Sequence, residues 1–315
     1  MSSDSLRTAG LLWIPLLVLV PIARAAEKPQ EVSFQTADGV TIVADYYPPV
    51  PQAGLKAPIV ILLHMYPADR TSWADFAKQL SGVGIAALAI DMRGHGKSTE
   101  PAEMHLAERR QQRDPRLYGA MHQDVAAAYQ WLAQQPNLDL ARFAVVGASV
   151  GCSVALDYAR RDRSVDAVVC LSPGTNYMGV DSIAHMRGYS NRPILLMASQ
   201  EERAACEALA KLSDKATVKI CPMNGRDQRQ MHGTNLLSQV SEATNVVLDF
   251  IRANLGPPTE QPVVASLGSD VYHAPDSPVV RRIKPENLRR FSSAEEAQAR
   301  GLRPTRTGPG APEAP

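Results

Sequence analysis

Residues 143–151 read FAVVGASVG and run straight into CSVALDYARR, residues 152–161. A short apolar run meets a glycine-flanked serine, and the serine opens a segment whose apolar positions recur at helical spacing. That is a strand, a turn and a helix in immediate succession, with G-x-S-x-G at the turn. A turn this tight strains the backbone of Ser149 and needs small residues two positions to either side, so that neighbouring chains do not collide. It lifts the Ser149 hydroxyl clear of the sheet edge and aims the first amides of the new helix at it.

Outward from this point, between Glu31 and Leu255, short β-branched runs alternate with longer helical patterns, the mark of βαβ units wound around a mostly parallel sheet. Residues 32–35 and 40–47 flank an Asp38-Gly39 turn and are expected as an antiparallel start to that sheet. Residues 59–64, 86–90, 143–147, 167–171, 194–198 and 217–221 are near-continuous apolar runs, expected as strands buried on both faces. Helical spacing marks 73–80, 117–134, 150–160, 202–212 and 235–255, each long enough for a right-handed crossover. Residues 99–115 are polar and charged, and predict a loop or short helix across the surface.

Three more stretches keep step with GASVG: ILLHMYPADRTSW at 61–73, AALAIDMRGHGKS at 86–98 and MHGTNLL at 231–237. With them, the chain from Val32 to Leu255 resembles the α/β-hydrolase superfamily, and most of all its dienelactone-hydrolase-related esterase branch. The first stretch is similar to that family's strand ending in His-Gly-x-Pro, the second to its D-x-R-G-x-G-x-S segment. The resemblance implies an α/β-hydrolase fold over residues 27–256, a mostly parallel central sheet flanked by helices. It also implies cleavage of a carboxylic ester, or a related acyl bond, through an acyl-Ser149 intermediate. The same machinery would serve acyl transfer or peptide cleavage, because the motifs set the mechanism and leave the leaving group open. A non-catalytic binding protein on this fold is the alternative from another class, and intact Ser149, Glu202 and His232 speak against it.

A serine hydroxyl is a poor nucleophile at neutral pH and needs an adjacent base. His232 lies after the last strand, in the polar, glycine-containing loop NGRDQRQMHG, where the family keeps its catalytic histidine. His64, His95, His105, His122, His185 and His273 are read as structural or surface residues. The family resemblance places the third member, a carboxylate that fixes the imidazole tautomer, at Glu202, with Glu201 as the adjacent alternative. Two backbone amides should hold the oxyanion, that of Val150 and, by position in the family motif, that of Tyr66. Here the sequence departs from the pattern, since Met65 stands where the family has glycine and narrows the space beside the acyl group. Asp91, Arg93, His95 and Ser98 are read as braces of a glycine-rich turn rather than a second site.

The 315 residues carry a formal net charge of +1 and 45% hydrophobic side chains, enough for a sizeable core and without the basic field of a general nucleic-acid binder. Neither cofactor nor metal is expected, and the only partner implied is a small-molecule ester. Residues 1–25, with Arg7, the apolar stretch 9–22 and Ala23-Arg24-Ala25, read as a cleaved export signal that leaves no stable membrane anchor, so the protein is expected in the periplasm or secreted. In an oxidising compartment Cys206 with Cys221 is the leading candidate for a disulfide, against the alternative that Cys152, Cys170, Cys206 and Cys221 are all buried thiols. Beyond Leu255, residues 257–268 read as a Pro-rich linker and 304–315 as a disordered tail. Between them, 269–303 resembles the small metal-binding domain of the Ada DNA-repair protein. Ser277 stands at the first expected cysteine and RPTRTG replaces the closing R-P-C-x-x-C, so zinc is not expected. Val279, Val280, Ile283, Leu288 and Phe291 are its expected apolar contacts, and the Arg281-Arg282 and Arg289-Arg290 pairs are read as solvated surface.

Overall fold

The computed structural model describes residues 28–189, 191–256, 258–259 and 262–305. The expected export signal at 1–25 and the tail from residue 306 onward lie outside the described residues.

An antiparallel pair, β1 (Gln30–Gln35) and β2 (Thr41–Tyr47), opens the chain, and β2 pairs antiparallel with β4 (Ala86–Ile90). β3 (Ala57–Leu63), β4, β5 (Leu138–Ala148), β6 (Ala167–Leu171), β9 (Ile194–Ser199) and β10 (Ala216–Cys221) are mutually parallel. The eight strands stand in the order β1-β2-β4-β3-β5-β6-β9-β10, with β3 and β5 central. Strand periodicity divides the core. Ile59, Ile61 and Leu63 face one apolar layer, while Val60 and Leu62 face the other. The first layer is closed by α4 (His122–Leu132), α5 (Val150–Arg161) and α7 (Arg203–Ala210), the second by α1 (Ala74–Gly82) and α9 (Ala243–Asn254).

Several elements differ from expectation. β10 is an edge strand whose Val218 is 38% exposed, and Lys219 within it supplies the kind of charge that discourages further pairing. The helix expected at 117–134 breaks into α3 (Pro115–Gly119) and α4, and that at 235–255 into α8 (Asn235–Gln239) and α9. Residues 99–115 hold the short helix that was one of the two expected outcomes, α2 (Leu106–Gln111). A two-stranded ribbon, β7 (Asn176–Tyr177) with β8 (Val180–Asp181), and α6 (Ser182–Gly188) follow β6 without having been anticipated. All four cysteines are free and buried, and Cys206 and Cys221 pack into layers on opposite faces of the sheet, which is why the expected disulfide is not made.

The C-terminal unit begins earlier than its sequence boundary. β11 (Val263–Ser266), within the expected linker, pairs with both β12 (Val271–His273) and β13 (Leu288–Phe291), while β14 (Arg303–Pro304) extends the sheet at β12. With α10 (Ala294–Ala299) these strands enclose a small core of Val263, Ala265, Tyr272, Phe291, Ala297 and Leu302. Of the five expected apolar contacts only Phe291 belongs to that core, and Val279 is 45% exposed. Arg289 is no surface residue. It is buried against Asp162 at the end of α5 and lies over the Tyr129 ring.

Candidate active site

β5 delivers Ser149 at the carboxyl edge of the sheet, with φ 52° and ψ −118°, a left-handed-side conformation that a side chain tolerates only under constraint. The constraint is visible. The Ser149 amide donates to Leu171 O at 2.8 Å, and Ser149 O accepts from the Cys152 amide at 2.9 Å. A Cβ on Gly147 would strike the backbone of Gly151 and Cys152, and one on Gly151 would strike the carbonyl oxygens of Leu63 and His64. The glycines therefore let the start of α5 lie against the end of β3. Val150 opens the helix, and its amide has no intrahelical acceptor.

His232 arrives from the loop after β10. Its Nδ1 lies 2.6 Å from Glu202 Oε1, so Nδ1 carries the hydrogen and Nε2 is left as the basic nitrogen. Glu202 closes a one-turn 3-10 segment after β9 and caps α7, one position short of the expected helix. Burial alone would push its carboxyl up. The hydrogen bond from His232, with contributions from Ser172 and Gln228, overrides burial and holds it below the usual carboxylate range. Glu201, the alternative acid, is exposed and makes no bond to His232.

Ser172 ties the loops together. It has φ 56°, its amide donates to Met197 O at 2.7 Å, and its hydroxyl accepts the Gly233 amide at 2.9 Å. Ser149 is bonded to Leu171 and Gly233 to Ser172, so the serine and histidine loops hang from adjacent residues. Neither Ser172 nor Tyr177 was singled out from the sequence, and no motif marks them. The Tyr177 hydroxyl, on the ribbon, donates to Ser172 O at 3.4 Å, and burial pushes it up to about 12. Met65 lies against the other side of the histidine loop, where a Cβ on Gly233 would meet its sulfur.

His64 and His95 behave as braces, while His105 pairs with Glu108, His122 and His185 lie against Asp157, and His273 belongs to β12. The Met92 amide donates to His64 Nε2 at 3.1 Å, which leaves Nδ1 to donate to Met65 O at 3.0 Å and fixes the loop that bears Tyr66. Burial lowers His64 to about 4 and His95 to about 3, so both rings are neutral. Asp91 binds the amides of Arg70 and Lys97 and the Arg70 guanidinium, while Arg93 engages Asp124 and Asp38. These are structural ties. Two surface hollows lie at the opposite ends of the strands, one beside Pro58 and both beside Asn137. Among the described residues no group of three or more His, Cys, Asp or Glu side chains is placed to hold a metal ion.

Residues 56–218, just over half of the chain, match the family model described as serine aminopeptidase, S33. The chain belongs to the S33 family. Two uncharacterized proteins of Mycobacterium tuberculosis are each 30% identical to it over 175 residues, which is 55% of this chain and 56% of theirs. The chain thus spans about half the length of the curated relatives it matches. Among solved structures, DcsB in complex with its substrate analogue is 16% identical with a TM-score of 0.57, covering 72% of this chain and 99% of its own. An esterase of Pyrococcus furiosus is 18% identical with a TM-score of 0.54, over 73% of this chain and 92% of its own. A dienelactone hydrolase of Anabaena variabilis is 21% identical with a TM-score of 0.52, over 72% and 97%. At these identities the solved structures share the fold, the α/β-hydrolase fold.

Proposed function

We propose that this S33-family member is an exported serine hydrolase that cleaves a carboxylic ester through an acyl-Ser149 intermediate. The observation that carries the reading is the 2.6 Å contact between His232 Nδ1 and Glu202, beside a strained serine hung from the same strand end. His232 Nε2 takes the Ser149 proton as the hydroxyl attacks, and Glu202 steadies the imidazolium that results. The amides of Val150 and Tyr66 hold the oxyanion. The imidazolium then gives its proton to the departing alcohol, and a water activated by the same base releases the acid. The small C-terminal unit, similar in sequence to the Ada-type domain but without its thiolates, takes no part in the chemistry. Labelling by a fluorophosphonate, followed by turnover of p-nitrophenyl esters of increasing chain length, tests the reading. A chain that is neither labelled nor active on any of them would overturn it.

The family description favours a second reading, hydrolysis of an amide at a peptide N-terminus by the same groups. Aminoacyl p-nitroanilides in the same assay decide between them, the ester reading requiring the p-nitrophenyl esters to be turned over with the higher kcat/KM.

A further inference from the structure

Beside the Tyr66 loop stands a cationic cluster that the triad does not use. The guanidinium carbons of Arg110, in α2, and Arg113, just after it, lie 5.9 and 5.6 Å from the centroid of the Tyr66 ring. His95 meets the same ring edge-on at 6.0 Å and meets Tyr118 at 6.1 Å. Two like charges gathered on one ring repel each other, and a cation–π contact at a partly exposed site returns only about 0.5–1 kcal/mol. Arg113 is further held at φ 54°, outside the comfortable range for a side-chain-bearing residue.

Ordinary counterions are missing from this cluster. Glu108 is paired with His105 at 2.9 Å, and Asp114 is taken by Arg109 at 2.8 Å and by the Arg116 amide. Neither Arg110 nor Arg113 forms an ion pair among the described residues. Arg110 Nε and, on the nine-tenths buried His95, Nε2 are both shielded from solvent without a hydrogen-bond partner. The field of Arg110 is strong enough to help lower both His64 and His95. By contrast, Arg70, Arg93 and Arg289 each have a carboxylate against the guanidinium, and Arg192, which has none, is satisfied by the carbonyls of Tyr189, Asp162, Val165 and Ala159.

We propose that Arg110 and Arg113 receive a negatively charged group of the substrate, so that the site selects esters bearing a carboxylate. This rests on the ester-hydrolase reading. A guanidinium offers paired N–H donors that match a carboxylate edge, and the Tyr66 ring beneath them supplies a flat wall at the same place. A substrate with a free α-ammonium would meet two positive charges there, which sets the cluster against aminopeptidase use.

The test compares matched pairs of esters: mono-p-nitrophenyl succinate with p-nitrophenyl pentanoate for charge on the acyl side, and 3-acetoxybenzoate with phenyl acetate for charge on the leaving group. The charged member of at least one pair is expected to show a tenfold or greater advantage in kcat/KM, expressed in KM and shrinking as salt is raised. In the Arg110→Gln/Arg113→Gln protein that ratio is expected to fall about tenfold, and the Arg110→Lys/Arg113→Lys protein to keep part of it. No advantage for either charged ester in the wild type, or an advantage the double Gln protein retains, would overturn the proposal. The neutral esters and the fluorophosphonate report separately on the triad, so a wild type that handles them without charge preference sinks the arginine assignment and leaves the ester reading standing.

Discussion

At the residue scale the proposed chemistry turns on the hydroxyl of Ser149 and the imidazole of His232. Ser149 is the nucleophilic side chain of the Gly147–Gly151 motif, so Ser149→Ala is expected to abolish fluorophosphonate labelling and ester turnover with an unchanged circular dichroism spectrum; labelling retained at the site would reject the assignment. His232→Ala is expected to lower turnover by several orders of magnitude, roughly the 10³–10⁴-fold residual over water remaining from the oxyanion amides. His64 yields a different expectation. Its ring is neutral in the fold because burial lowers it from 6.5 to about 4. Above pH 6.5 it is neutral folded and unfolded alike, so its contribution is complete there. Between 6.5 and 4 the unfolded chain takes up a proton that the folded chain refuses, and stability falls as the pH drops, by about 3 kcal/mol at most. Urea midpoints at pH 7 and pH 4.5 should therefore differ more for the wild type than for His64→Gln, and equal differences would mean that His64 does not titrate this way.

At the scale of elements, the elbow was legible because strand, turn and helix are contiguous and each has its own signature in 143–161. Gly151 shows why the turn is intolerant. A methyl group there meets two carbonyl oxygens of the β3 end, and backbone cannot step aside as a flexible side chain can. Gly151→Ala is expected to cost about 1–3 kcal/mol, read as a lower melting temperature with esterase activity falling in parallel. Other elements were less legible. Apolar spacing runs through residues 117–134 although the helix breaks before His122, because both pieces bury their apolar side chains in the same layer. The β7–β8 ribbon has only two residues in each strand, too short for any periodicity to register.

Over the whole molecule, the small C-terminal unit is fastened by charge as well as by apolar contact. Asp162 is fully buried, yet Arg289 and the Ser164 bonds hold its carboxyl below the usual range against the pull of burial. Arg300 reaches Asp166 and the carbonyls of Arg163 and Val165, while Gln130 donates to Glu286 O. A protein ending near Gly256 should keep its triad in place but would leave two carboxylates without their cations. Arg289→Met is the milder probe. Removing one partner of a buried pair costs about 3–5 kcal/mol, so a clear drop in melting temperature is expected, and an unchanged one would show that the pair contributes nothing. Chelator, in contrast, is expected to leave the melting temperature as it was, since the unit has its own apolar core.

The sequence by itself determined the alternation of strands and crossovers and the strand–turn–helix at Ser149, because each depends on residues adjacent in the chain or on a periodicity they share. It favoured Glu202 over the adjacent Glu201 only through the family resemblance, and the tertiary structure sets Glu202, not the exposed Glu201, against His232. Ser172 came to hold the Gly233 loop, and Arg110 and Arg113 gathered on Tyr66, through contacts between segments far apart in sequence. Arg289 looks from its neighbours like half of a solvated pair, and lies buried because Asp162, more than a hundred residues earlier, is the charge it answers. Local pattern carries the elements; which charges meet across the fold is set by packing, and no single stretch of chain records it.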